Sequence, residues 1–162
     1  MGAPLCGGRS YALLKSFFEK TLDCFGVTAD NIYSVMDKMA AEDTDNCSLS
    51  VDTRFCGTRR ESDVKGAVLQ ITEDNFTPQQ LTRGFLIGMC RELYAFYEQM
   101  EKLTGKKRTN LVGSGNGVRK NKILQHYLEE TFKMSIEIPA NTEEAAFGAT
   151  VFCQGTLKDG NK

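Results

Sequence analysis

Three glycines at every second position, Gly113, Gly115 and Gly117, follow a short apolar stretch and precede a helical pattern. Glycine lets the backbone turn tightly and lets a ligand approach where a Cβ atom would block it. The start of a helix adds N–H groups without intrahelical partners and the positive end of a dipole, and both favour phosphate. We therefore expect an anion-binding site at this turn.

The composition is that of an ordinary globular protein. The chain has 162 residues, of which 41% are hydrophobic and 25% charged, and its formal net charge is −1. This length allows one domain with a sizeable core, and a net charge near zero favours neither nucleic acid nor an anionic membrane as a partner. The sequence has no apolar stretch long enough to span a membrane and no signal-peptide core at residues 1–8. We expect a cytoplasmic protein.

The six cysteines and the single histidine do not form a metal-binding pattern. No two cysteines have C-x-x-C spacing, and His126 has no second ligand near it in sequence. Structural zinc sites need such clustered ligands, so we assign no metal ligands. Cys24, Cys90 and Cys153 fall on apolar helix faces, where we expect small buried side chains in a reducing compartment.

Helical and strand patterns alternate along the chain. Thr28 or Asp30 is expected to cap the second helix, and Thr77 with Pro78 to start the longest one, which ends at Gly105. The order of elements is typical of a mixed α/β fold. Apolar spacing predicts helices over 10–25, 30–41, 77–103, 118–132 and 145–152, and strands over 48–53, 66–71, 109–112 and 135–138.

Four segments, taken together and in this order, resemble the C-terminal domain of the FGGY carbohydrate kinases of the actin and hexokinase superfamily. Within that family the sedoheptulokinases are the most similar. Gln70 departs from the pattern, because the family usually has a glycine there. The segments are Gly7-Gly8, Phe55–Arg59, residues 65–84, and Gly113–Gly117 with Asn121 and residues 142–149.

The resemblance implies a ribonuclease H-like α/β ATPase domain that forms one half of a two-domain kinase. Residues 1–155 would be this nucleotide-binding domain, and 156–162 a flexible tail. The implied reaction transfers the γ-phosphoryl group of ATP, with Mg²⁺, to a hydroxyl of a sugar, here sedoheptulose. Thr58 and Arg59 would face the interdomain cleft, where a guanidinium binds an anionic oxygen. The nucleotide contacts implied are Gly113, Ser114, Gly115, Asn116, Gly117 and Asn121.

In the family, the aspartate that deprotonates the sugar hydroxyl belongs to the N-terminal domain. We therefore assign no catalytic residue in this chain and expect the isolated chain to be inactive as a kinase. Its partners would be ATP and the sugar, bound together with that other domain. A homodimer formed through the apolar face that the missing domain would cover is a further hypothesis.

Two alternatives to a kinase fragment stay open from the sequence. A non-catalytic interaction domain would keep the fold and lose the chemistry. An S-adenosylmethionine-dependent methyltransferase also has a Gly-x-Gly-x-Gly turn after a strand, but that turn comes early in its fold, and too few residues follow Gly117 here. A dinucleotide-binding turn requires G-x-G-x-x-G spacing, which the chain lacks.

Overall fold

The structure is a computed structural model that describes residues 7–42, 48–59, 61–140 and 148–152. Helices predominate in this part of the chain, and the strands are short. In chain order the elements are α1 (Gly7–Cys24), α2 (Ile32–Glu42), β1 (Ser50–Asp52), β2 (Ala67–Leu69), α3 (Pro78–Thr104), β3 (Leu111–Val112), α4 (Asn116–Lys120), α5 (Lys122–Phe132) and β4 (Ile136–Glu137), with residues 148–152 also helical.

The strands form two separate pairs. Strands β1 and β2 are antiparallel, with Val51 opposite Val68. Strands β3 and β4 are parallel, with Leu111 opposite Ile136, and α4 and α5 make the crossover between them. A parallel pair needs such a crossover, so the glycine turn lies at the carboxyl end of β3, where the crossover starts.

Helix α3 is the central packing element and matches the prediction from its end signals. The side chain of Thr77 accepts a hydrogen bond from the N–H of Gln80, and Gly105 ends the helix with φ at +63°. The helix packs against α1, α2, α5 and β1. A Cβ atom on Gly88 would lie 2.3 Å from the backbone oxygen of Val51, so the glycine allows helix and strand to touch.

The core draws on all the long helices and on β1. Its buried hydrophobic members are Tyr11, Leu14, Ile32, Met36, Ala40, Leu49, Val51, Phe85, Leu86, Met89, Cys90, Leu124 and Leu128. Of the three cysteines that we expected to be buried, Cys90 is, whereas Cys24 is exposed at the end of α1. The prediction for Cys24 is wrong because the last turn of α1 packs on the core through Leu22 and leaves Cys24 on its exposed side. Cys153 lies outside them.

Two other expectations about helix ends need correction. Helix α2 begins after Asn31, whose carbonyl oxygen accepts the N–H groups of Ser34 and Val35, so neither Thr28 nor Asp30 is the residue before the helix. The helix predicted over 118–132 is divided at Asn121 into α4 and α5. The predicted start of the last helix, at residue 145, and the tail at 156–162 lie outside the described residues.

Within the described residues, no helix combines the length and the apolar character that crossing a membrane requires.

Candidate functional site

The first glycine of the turn is a packing residue. Gly113 is buried, and its N–H donates to the backbone oxygen of Glu137 at 2.9 Å, which extends the pairing of β3 with β4 by one residue. A Cβ atom on Gly113 would lie 2.6 Å from Ile136 Cδ1 and 2.8 Å from Val118 Cγ1. Glycine is therefore required here by the protein's own side chains, and Gly113 itself faces the interior.

The next two glycines differ from Gly113 because their surroundings are open. Gly115 has φ at +89°, a conformation that other residues rarely adopt, and it directly precedes α4. A Cβ atom on Gly115 or Gly117 would meet no described atom within 4 Å, and Ser114 and Asn116 are exposed. The outer side of the turn thus presents bare backbone that a flat or anionic ligand can approach closely.

Helix α4 has only five residues, which changes the expected electrostatics. The sequence predicted a longer helix behind the turn, and a longer helix would align more peptide dipoles toward an anion. With one turn and a half, α4 contributes chiefly the N–H groups of its first turn, which lack intrahelical partners. Ligand contacts at this site would therefore come from local backbone donors.

Asn121 lies behind the turn, and its amide has partners inside the protein. The side-chain oxygen accepts the N–H of Leu124 at 2.8 Å, which caps α5, and the side-chain nitrogen donates to Asp37 Oδ1 at 2.7 Å. The backbone N–H of Asn121 also donates to the oxygen of Gly117 at 3.2 Å. The structure thus gives Asn121 a supporting role under the turn, and its predicted contact with a nucleotide stays a prediction.

Two further polar side chains hold α4 in place, and the sequence reasoning did not identify them. Buried Gln125 donates to the backbone oxygens of Val118 at 2.7 Å and Arg119 at 3.3 Å, which satisfies carbonyl groups at the end of α4. Arg119 Nη1 donates to the backbone oxygen of Pro139 at 2.6 Å, just after β4. The signal available in the sequence was Asn121 inside a helical pattern. Because asparagine favours N-caps, it could have indicated the break between α4 and α5 that these two side chains support.

Thr58 and Arg59 belong to the loop between β1 and β2, on the other strand pair. The Thr58 N–H donates to the backbone oxygen of Glu61 at 2.9 Å, and its hydroxyl accepts the N–H of Glu61 at 2.9 Å. Gly57 has φ at +70°, and a Cβ atom there would lie 2.6 Å from the oxygen of Ser62. The loop is therefore a tight turn that leaves Arg59 exposed, and the predicted cleft role of Thr58 and Arg59 stays a prediction.

No group of three or more His, Cys, Asp or Glu side chains in the described ranges could hold a metal ion. The exposed His126 lies 3.6 Å from Glu130, one helical turn away, and no third such side chain of the described residues joins this pair.

Comparison with known proteins identifies the family. The profile of the FGGY family of carbohydrate kinases, C-terminal domain, matches residues 6–154. No functionally curated protein matches the sequence.

Several solved structures share the fold. The xylulose kinase from Bifidobacterium adolescentis aligns with a TM-score of 0.67 at 20% identity, over 83% of this chain and 25% of that one. The xylulose kinase from Rhodospirillum rubrum aligns with a TM-score of 0.65 at 18% identity, over 83% and 26%. Plasmodium falciparum glycerol kinase, solved with ADP, aligns with a TM-score of 0.64 at 17% identity, over 85% and 27%.

The chain thus spans about a quarter of the length of these kinases. Its mixed helices and short strands agree with the predicted ribonuclease H-like fold of the actin and hexokinase superfamily, and that prediction is confirmed. The profile covers nearly all of the chain, including both strand pairs and the glycine turn. The chain belongs to the FGGY family of carbohydrate kinases and corresponds to their C-terminal domain.

Proposed function

We propose that this chain is the nucleotide-binding part of an ATP-dependent sugar kinase. The observation that carries the proposal is the open backbone at Gly115 and Gly117, at the carboxyl end of a parallel strand. Ligands of α/β proteins bind at such strand ends. The adenosine and α-phosphate of ATP would lie against this turn, with Ser114 and Asn116 exposed beside it.

Transfer of the γ-phosphoryl group to a sugar hydroxyl depends on positioning and on charge stabilisation. In the proposed enzyme, Mg²⁺ bound with ATP neutralises charge on the phosphates, while this chain holds the adenosine end. Arg59 is exposed and available to an anionic oxygen across the cleft. The family resemblance places the base that deprotonates the sugar hydroxyl in the other domain, so we assign none here.

Sedoheptulose is the proposed sugar. Support comes from two local sequences, the Gly-Ser-Gly turn at 113–115 and the Phe-Cys-Gly-Thr-Arg loop at 55–59, which resemble those of sedoheptulokinases. The purified chain alone is expected to show no sedoheptulose phosphorylation above background. Loss of a general base typically costs ~100- to 10,000-fold in rate, and loss of the opposite cleft wall adds to that cost.

Binding of ADP to the purified chain tests the proposal. A ligand at a hundred times its Kd stabilises the folded state by about 2.7 kcal/mol, which a thermal shift detects. Gly117→Ala places a methyl group on the open side of the turn and is expected to weaken ADP binding by about tenfold, or 1.4 kcal/mol. Gly8→Ala is the matched control, because Gly8 is also a helical glycine with nothing within 4 Å of its Cβ position.

The proposal would be abandoned if ADP left the unfolding temperature of the wild-type chain unchanged, or if Gly117→Ala and Gly8→Ala bound ADP equally well. The two other hypotheses gain no specific support. The profile match is to a carbohydrate-kinase domain, which favours neither a methyltransferase nor an interaction module. A homodimer stays a prediction, and the side chains available to it include Leu13 and Phe17, exposed one turn apart on α1.

A further inference from the structure

One carboxylate joins three helices behind the glycine turn. Asp37 Oδ1, on α2, accepts the hydroxyl of Tyr11 from α1 at 2.8 Å and the side-chain N–H of Asn121 from the α4–α5 junction at 2.7 Å. Tyr11 and Asn121 are buried, at 8% and 7% exposure. Removal of Asp37 would leave these two donors shielded from water without this acceptor, which costs free energy.

Tyr11 is held as a donor to this carboxylate. Burial, together with the hydrogen bond to Asp37, raises the pKa of its hydroxyl above the ordinary value, so it stays protonated at any physiological pH. Its ring stacks on Tyr33, with ring centres 5.9 Å apart and an interplanar angle of 21°. Both the charge state and the position of this donor are therefore fixed.

The carboxylate also determines which way the amide of Asn121 faces. Because the nitrogen of that amide donates to Asp37, its oxygen is directed to the N–H of Leu124, where it caps α5. The backbone N–H of the same residue donates to the oxygen of Gly117 in the turn. A rotation of the Asn121 side chain would release the cap and loosen the junction from which α4 and the turn extend.

We propose that Asp37 is a positioning residue for the nucleotide-binding turn, acting through Asn121. This inference rests on the proposed function. Asp37 is linked to the turn through Asn121, whose backbone N–H donates to the oxygen of Gly117, and it fixes the junction immediately behind the turn. The consequence is that α1 and α2, which contribute no residue to the turn, set the affinity of the turn for the nucleotide.

Two substitutions at Asp37 separate geometry from charge. Asp37→Leu removes both acceptor oxygens and is expected to weaken ADP binding at least tenfold. Asp37→Asn keeps one acceptor oxygen for the two donors and is expected to stay within threefold of the wild-type affinity. Met36→Val, in the core on the same helix, is the control for a general loss of stability and is expected to bind ADP like the wild type.

Amide hydrogen exchange supplies a second readout that does not depend on ADP. Asp37→Leu is expected to raise exchange of the Leu124 N–H selectively, while Leu86, in α3, keeps its protection. Met36→Val is expected to change both amides together or neither. If Asp37→Leu does not fold, Asp37→Ser, whose hydroxyl is too short to bridge the two donors, takes its place in both experiments.

The outcomes distinguish this inference from the proposed function. If the wild-type chain binds ADP and Asp37→Leu binds it equally, or leaves the Leu124 N–H protected, the positioning role is wrong and the nucleotide site stands. If the wild-type chain does not bind ADP, both are wrong, whatever the exchange data show. A selective loss of Leu124 protection together with a tenfold weaker Kd for ADP supports both.

Discussion

Gly113 lies so close to Ile136 that a Cβ atom on the glycine would come within 2.6 Å of Ile136 Cδ1. The contact joins the residue that follows β3 to the first residue of β4 and fixes where the turn leaves the strand pair. The three glycines of the turn therefore have different roles. Gly113 allows this packing, whereas Gly115 and Gly117 leave the backbone open on the outer side.

Gly113→Ala is expected to destabilise the fold by about 1–3 kcal/mol, because the new methyl group overpacks against Ile136 and Val118. Gly117→Ala is expected to leave stability unchanged or to raise it by up to about 1 kcal/mol, since alanine favours a helix and meets no neighbour. Urea denaturation of both variants measures the difference. Equal stabilities would contradict the distinction between the two glycines.

Gln70→Gly is expected to stabilise the protein by about 1 kcal/mol. Gln70 has φ at +60°, a left-handed conformation that costs a side-chain-bearing residue roughly 1–2 kcal/mol, and its exposed side chain leaves little packing to lose. The carbonyl oxygen that Asn75 Nδ2 contacts at 2.8 Å belongs to the backbone and is kept. Glu73→Gly, at an exposed position of the same segment without positive φ, is the control.

In that control, glycine only increases the freedom of the unfolded chain, and stability is expected to fall. Denaturation midpoints that moved in the same direction for Gln70→Gly and Glu73→Gly would contradict the interpretation. The family resemblance implies a glycine at this position, and glycine would adopt the backbone conformation of Gln70 without strain.

The parts of the fold that the sequence predicted are those determined by neighbouring residues. Helix α3 starts at Thr77-Pro78 and ends at Gly105 because capping and helix termination involve only a few consecutive residues. The strand positions followed from alternation over short windows. The family resemblance added the superfamily fold, which the profile and the solved structures confirm.

The parts that the sequence did not predict depend on distant neighbours. The break at Asn121 interrupts a helical spacing that continues unchanged on both sides, and its amide is oriented by Asp37, 84 positions earlier. Apolar spacing on α1 likewise could not show that Leu14 is covered while Phe17 is 53% exposed. The three glycines look equivalent in sequence, and the side chains of Ile136, Val118 and Ile138, close to the Cβ position of Gly113, distinguish the first from the others.

Stability at high pH is expected to depend on Tyr11. Burial raises the pKa of its hydroxyl, so above about pH 10 the unfolded chain releases this proton while the folded protein keeps it. The unfolded state then binds fewer protons, and the free energy of unfolding falls by about 1.4 kcal/mol per pH unit. Below pH 10 both states keep the proton, and the contribution does not change with pH.

Tyr11→Phe is expected to lose this slope and about 1 kcal/mol of stability at neutral pH, because the hydrogen bond to Asp37 is gone. Denaturation of both proteins between pH 7 and 11 gives the comparison. Tyr33→Phe is the control, since Tyr33 is 44% exposed. The explanation would be wrong if, above pH 10, the free energy of unfolding fell equally steeply for the wild type and for Tyr11→Phe. The pKa of Tyr11 would then be the same in the folded and unfolded states.

The thiols of the described cysteines are expected to react at very different rates. Cys24 and Cys56 are exposed, whereas Cys90 is fully buried in α3, and burial raises its pKa to about 12. The thiolate is the reactive form, so native Cys90 is both inaccessible and protonated at neutral pH. It should react only in molecules that have opened, and its labelling rate then reports the free energy of opening.

Gly113→Ala tests whether the labelling rate of Cys90 reports the free energy of opening. If it lowers the free energy of unfolding by 1.4 kcal/mol, the labelling of Cys90 is expected to become about tenfold faster, while Cys24 and Cys56 react as before. Iodoacetamide labelling followed by peptide mass spectrometry measures the three sites in one sample. Labelling of Cys90 as fast as Cys24 in the wild-type chain would mean that the face of α3 carrying Cys90 is not closed by α5, whose Thr131 lies beside this thiol.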